Sequence, residues 1–357
     1  MYYEYFGRGE ESMNIAIIGA TGYGGSELVR ILHQHPEATI HSIHSSSQQG
    51  EPVYNSYPHM QDAIDMTLED IDIPKIANAV DVVFTATPSG VSSALVDQLM
   101  EHDVKIIDLS GDYRIKDQEI YKEWYKKEPA NHDNIQKAVY GLTECLETNL
   151  QDVQLLSNPG CYPTAVLLGL APLLQKQIIN PTSIIIDAKS GVSGAGRNAS
   201  PIAHFPEMND NLKIYKVNAH QHIPEIEQIL NQWDAQVGTV SFNTHLVPMT
   251  RGIMATMYVE ATKEVTEDSL RDLFKETYKD DYFVRIRPKG VFPSTREVYA
   301  SNFCDIGLTY DERTNRIVIV SVIDNVMKGA AGQAVQNMNK MFGLDEKTGL
   351  TFLPVYP

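Results

Sequence analysis

From residue 13 onward the chain alternates short apolar runs with amphipathic stretches. In MNIAIIGATGYGGSELVRILHQHP, the apolar run 14–18 predicts a buried strand and 19–25 a glycine-rich turn. The following helix carries Leu28, Val29, Ile31 and Leu32 on one side. ATIHSIHSS and VDVVFTAT predict a second and a third strand, GVSSALVDQLMEHD a helix, and VKIIDLSG another strand. This alternation predicts an α/β, Rossmann-like domain with a parallel, doubly wound sheet over residues 13–160. After Cys161 the rhythm changes. Residues 162–176 (YPTAVLLGLAPLLQK) predict a helix, VGTVSFNTHLVP and GIMATMYVEAT longer strands, and IPEIEQILNQW and TEDSLRDLFKETY two more helices. That mixture predicts a second, α+β domain over 161–324 built on a mainly antiparallel sheet. A last helix near 325–341 has small residues on one face and is expected to return, with the rest of 325–357, to the first domain. Residues 1–12 are too polar for a signal peptide and read as an extension before Met13.

Composition narrows the partners. Lys plus Arg total 29 against 46 Asp plus Glu, a net charge of −17, which disfavours nucleic acid and anionic membranes. An anionic small molecule must then be caught by local cations. Three cysteines make no disulfide framework and fit a reducing, cytoplasmic setting. No apolar stretch approaches the roughly 18 residues of a membrane helix.

GATGYGG places Gly19, Gly22 and Gly25 between a strand and a helix, with Thr21, Tyr23 and Gly24 among them. Glycines there let a pyrophosphate approach the backbone, and the helix start offers free N–H groups, so the turn predicts a dinucleotide site. An NAD site usually carries a carboxylate about 20 residues on. Here the second strand ends in His44, Ser45, Ser46 and Ser47, which favours NADP. Ala86, Pro88, Ser89 and Gly90 follow the third strand and are expected to line the nucleotide.

In SNPGCYPT the lone Cys161 opens a helix, where the dipole is expected to lower its pKa and the Pro159-Gly160 entry to expose the sulfur. Cys145 and Cys304 have no such setting. A nucleophilic cysteine beside a nicotinamide points to a thioester reduced by hydride, or the reverse. Such chemistry needs an acid/base. His220 and His222 lie two apart on one side of an extended stretch, either suits the task, and Glu225 is placed to orient one. No cysteine or histidine cluster accompanies the pair to suggest a metal. For an anionic substrate, Arg114, Lys189, Arg197 and Arg251 lie in glycine-containing turns at strand ends, with Ser110, Ser190 and Ser193 as added donors. SGVSGAGR, through Ser190, Gly191 and Gly194, is expected to cross the nicotinamide, and Asn325 and Lys328 to line the nucleotide from the final helix.

LSNPGCYPTAVLLGLAP (156–172) resembles the active-site signature of the N-acetyl-gamma-glutamyl-phosphate reductase family. The same family's GATGYGG, ATPSG, DLSGDYR, KSGVSGAGR, HQHIPEI, PMTRGI and NVMKGAAGQAVQ recur in order from Met13 almost to the end. The resemblance implies NADPH-dependent reduction of the acyl phosphate N-acetyl-L-glutamyl 5-phosphate to a semialdehyde and phosphate. Cys161 would be the nucleophile, His220 or His222 the acid/base, and Asn158 of the signature a substrate contact. It also implies self-association through the second domain as a homodimer or homotetramer. The nearest alternative is aspartate-semialdehyde dehydrogenase, which shares the thioester logic without GCYPT. A non-catalytic NADP-sensing regulator is the other.

Overall fold

In a computed structural model, which describes residues 12–356, the first apolar runs form a seven-stranded sheet. Its strands are β1 (Met13–Ile18), β2 (Ala38–His44), β3 (Leu68–Glu69), β4 (Val82–Thr85), β5 (Lys105–Asp108), β6 (Val139–Tyr140) and β7 (Leu155–Ser157). The order is β3-β2-β1-β4-β5-β7-β6 and every pair is parallel. β1 and β4 are almost wholly buried, as continuous apolar strands covered on both faces must be. The doubly wound expectation holds. Of the expected N-terminal extension, residues 1–11 lie outside the described residues, and the Ser12 hydroxyl is 2.8 Å from that of Thr39.

The second sheet comprises β8 (Ile185–Ser190), β9 (Lys213–Tyr215), β10 (Ser241–Leu246), β11 (Ile253–Glu260), β12 (Val284–Ile286), β13 (Cys304–Asp311) and β14 (Arg316–Ile323). Its order is β12-β13-β14-β11-β8-β10-β9, antiparallel except for β10 with β8 and β12 with β13. The mainly antiparallel expectation holds too. Against β11 and β14 lies the Cys161–Gln175 helix, whose residues from Tyr162 to Leu174 are all buried. An all-apolar helix of this kind is stable only inside a core.

The chain then turns back. After β14, one π-helical turn (Met327–Ala331) leads into the Gly332–Met341 helix, which packs on the Tyr23–Leu32 helix. Val335, Met338 and Met341 share a core with Ile15, Ile17 and Leu28.

Candidate active site

Two glycines of the glycine-rich turn are required by the backbone itself, Gly19 and Gly25. Gly19 has φ of +93°, and a Cβ there would lie 2.5 Å from the Ala86 carbonyl oxygen. At Gly25 a Cβ would lie 2.2 Å from the Gly19 oxygen, so this glycine lets the Tyr23–Leu32 helix close on the strand. Gly22 differs, because a Cβ there would meet nothing nearer than the Gly19 oxygen at 3.6 Å. The protein leaves space over the turn, beside first-turn N–H groups with no intrahelical acceptor, and this fits a dinucleotide phosphate. Beyond β2, Ser45 is buried with its hydroxyl 3.3 Å from that of Thr21, while Ser46 and Ser47 are exposed. Tyr23 opens the helix half-exposed, and Pro88 is exposed on the neighbouring loop.

Cys161 opens its helix after Gly160, as expected. Its thiol departs from expectation: burial pushes it up to about 11, with the Arg114 guanidinium and the Tyr162 N–H pulling the other way. The residue keeps part of its surface open, as the Pro159-Gly160 entry predicts, but the burial of the thiol outweighs the helix start. Burial also raises Cys145, and takes Cys304 up to about 12.

Three side chains converge over Gly160. A Cβ there would lie 2.7 Å from His222 Nε2, 2.9 Å from Arg114 Nη1 and 3.0 Å from Glu225 Oε2. Glu225, fully buried at the start of the Ile223–Trp233 helix, accepts the Gly160 N–H at 2.8 Å and the Tyr140 hydroxyl at 2.7 Å, and pairs with Arg114 at 3.3 Å. It therefore holds the entry to the nucleophile rather than orienting a histidine. Arg114 also donates to the carbonyls of Asn158 at 2.8 Å and Leu109 at 2.7 Å.

The histidines sit in an aromatic box. Their ring centroids are 4.8 Å apart, and both rings stand edge-on to Tyr162, whose hydroxyl is 3.0 Å from that of Tyr215. His220 Nδ1 accepts the His222 backbone N–H at 3.1 Å, whereas His222 Nδ1 is buried without a hydrogen-bond partner. Burial takes His220 down to about 3 and His222 in the same direction, so both rings are neutral at pH 7. From behind, Gly329 of the π-helical turn presses on Cys161: a Cβ there would lie 2.7 Å from the Cys161 Cβ.

Other expected contacts are committed elsewhere. Asn158 is fully buried, its amide bonded to the Ala330 carbonyl and to Asn337, so it shapes the wall instead of reaching a substrate. Ser110 is buried and donates to Asp108 at 2.7 Å. Lys328 is wholly buried in an ion pair with Glu144. Arg251 forms a two-pronged pair with Glu27 at 2.8 and 2.9 Å, and Lys189 pairs with Asp187 at 2.9 Å. Asn325 bridges the Gly252 N–H at 2.7 Å and the Ser193 hydroxyl at 2.9 Å, fixing the loop after β8. In that loop Gly191 packs tightly on the Thr250 carbonyl, Gly194 is exposed, and the Ser190 hydroxyl bonds the Gly191 carbonyl at 3.0 Å. Sequence reasoning missed Tyr140, Tyr215 and Gly329, none of which has a spacing relation to Cys161. Among the described residues no three metal-ligating side chains converge, and no helix is long and apolar enough to cross a membrane.

A family model for the semialdehyde dehydrogenase NAD binding domain matches residues 14–153, and one for the semialdehyde dehydrogenase dimerisation domain matches 161–325. N-acetyl-gamma-glutamyl-phosphate reductases of Geobacillus sp. (strain WCH70) and Bacillus subtilis (strain 168) are each 57% identical over 345 residues, covering 97% of this chain and 100% of theirs. The chain belongs to the N-acetyl-gamma-glutamyl-phosphate reductase family. Among solved structures, aspartate semialdehyde dehydrogenase II from Vibrio cholerae matches with a TM-score of 0.69 at 17% identity, covering 93% of this chain and 99% of that one. An aspartate semialdehyde dehydrogenase with NADP from Candida albicans matches with a TM-score of 0.64 at 14% identity, covering 93% and 98%. At those identities the likeness establishes the fold that the reductase family shares with them. It does not favour the aspartyl alternative.

Proposed function

We propose that this chain reduces N-acetyl-L-glutamyl 5-phosphate to N-acetyl-L-glutamate 5-semialdehyde and phosphate with NADPH, through a thioester on Cys161. The observation that carries the mechanism is the convergence of His222, Arg114 and Glu225 on Gly160, immediately before the nucleophile. His222 is the acid/base: its Nε2 faces that gap, while His220 has Nδ1 engaged by a backbone N–H. His222 takes the Cys161 proton as the sulfur attacks the acyl carbon. The carbon–oxygen bond to phosphate breaks, and the imidazolium gives its proton to the departing oxygen. The helix-start N–H groups supply positive potential for the developing oxyanion. NADPH, bound over the glycine turn, supplies the hydride. Collapse of the resulting hemithioacetal breaks the carbon–sulfur bond, releases the aldehyde and leaves a thiolate that regains its proton through His222.

Glu225 and Tyr140 position the Gly160 turn and do not touch the substrate. Residues 13–160 with 325–357 form the nucleotide-binding unit and 161–324 the catalytic and self-associating unit, giving a homodimer or homotetramer. Three free cysteines support a reducing, cytoplasmic setting. The test is phosphate-dependent reduction of NADP by N-acetylglutamate semialdehyde, with aspartate semialdehyde and NAD run beside it. Turnover with the acetylated substrate alone supports the reading, and preference for the aspartyl compound overturns it.

A further inference from the structure

Of the four cations that stand at strand-end turns, three are neutralised: Arg114 by Glu225, Arg251 by Glu27 and Lys189 by Asp187. Arg197 has no carboxylate partner among the described residues. It leaves the loop after β8, in the second domain, and crosses to the first. Its Nη1 donates to the Thr21 carbonyl at 3.0 Å and its Nη2 to the Ser56 carbonyl at 3.1 Å. The guanidinium lies 4.6 Å from the centre of the Tyr57 ring, and the Tyr57 hydroxyl donates to the same Thr21 carbonyl at 3.0 Å.

This position is beside the end of β2, where Thr21 meets Ser45. In dinucleotide folds the adenosine ribose lies at this strand end, held by a carboxylate in NAD enzymes and approached by an arginine where a 2′-phosphate must be accommodated. Ser46 and Ser47 are exposed here, and residues 45–57 contain no lysine or arginine. Lys75, on the segment after β3, is paired with Glu69 at 3.2 Å. A 2′-phosphate resting on these serines in a chain of net charge −17 therefore finds its cation on the other domain. The two carbonyls that Arg197 now holds are neutral acceptors, and a phosphate is a stronger one for a planar guanidinium.

We propose that Arg197 selects NADP over NAD by pairing with the adenosine 2′-phosphate, so that cofactor choice is made by the second domain and not by the domain that cradles the nucleotide. The inference rests on the NADP reading. Its test is binding, not turnover: titration calorimetry of NADP and NAD with the full chain, wild type against Arg197→Ala and Arg197→Lys. Loss of one charge-assisted contact predicts NADP weakened about tenfold or more in Arg197→Ala, NAD changed less than about threefold, and Arg197→Lys between wild type and Ala for NADP. Equal weakening of both cofactors would place Arg197 on the pyrophosphate and overturn the proposal, as would no change in either. A wild type without preference for NADP would instead fail the cofactor reading, and the inference with it.

Discussion

The Gly160 N–H donates to the Glu225 carboxylate at 2.8 Å, tying the residue before the nucleophile to a helix 65 residues further along the chain. The same carboxylate neutralises Arg114, whose side chain is 7% exposed against 0% for Glu225. Leaving one member of such a pair uncompensated typically costs about 3 to 5 kcal/mol. Glu225→Gln, which keeps the shape and removes the charge, is expected to lose at least about 3 kcal/mol in urea unfolding. A loss below about 1 kcal/mol would show that Arg114 relaxes to solvent and that the pair does not hold the turn.

Cys161→Ser should keep the fold and NADP binding but lose nearly all turnover, because a serine hydroxyl at this position ionises far less readily than a thiol. In the free wild-type protein, alkylation of Cys161 by iodoacetamide, followed by peptide mass spectrometry, should still be rising above pH 9, since burial takes the thiol up to about 11. A plateau below pH 8 would contradict that setting and restore the helix dipole as the dominant influence.

His222→Asn is expected to lower kcat about 100-fold or more, the usual contribution of a general acid/base, with NADP affinity unchanged. His220→Asn should cost less, because His220 packs in the aromatic box and does not face the Gly160 gap. The reverse ranking would move the acid/base to His220.

Gly160→Ala introduces a Cβ 2.7 Å from His222 Nε2 and 2.9 Å from Arg114 Nη1. Turnover should fall sharply while NADP still binds, because the glycine turn of the nucleotide lies elsewhere. Retained activity would mean that His222 and Arg114 can withdraw from the gap without harm.

Acid should weaken the fold through the histidines. His220 titrates near 3 when folded against 6.5 in its ordinary state, and burial is the main cause. Its contribution is therefore present above about pH 6.5 and is lost as the pH falls toward 3. Urea midpoints should decline over that window, and the decline should be shallower in His220→Asn; identical slopes would show that other groups drive the loss.

Strong local periodicity made much of the architecture legible. The helix expected over 162–176 runs Cys161–Gln175, and IPEIEQILNQW is the Ile223–Trp233 helix. β3 and β6, two residues each, and β9 and β12, three each, are too short to show a period. RIVIVSVI did carry the alternation of β14 and was overlooked. The chemistry-bearing types at Cys161, His220 and His222 were readable because they lie close in sequence to a turn or to one another. The Arg114–Glu225 pair spans 111 residues, so only the fold reveals that this arginine is neutralised while Arg197 is not. The thiol expectation failed for the same reason: a helix start is a local signal, and burial is not.

The Gly332–Met341 helix has a consequence for how the molecule is made. Val335 and Met338 complete the core that Ile15 and Ile17 begin, so this face of the first sheet waits for residues 332–341 to leave the ribosome. The second sheet, from Ile185 to Ile323, emerges in one uninterrupted piece and has its strands in hand beforehand. During synthesis the two faces of the first sheet are thus completed at different times: the face carrying Ala16, Ile18 and Val83 is packed by residues up to Leu155, while the face carrying Ile15 and Ile17 stays uncovered until Val335 and Met338 follow the second sheet.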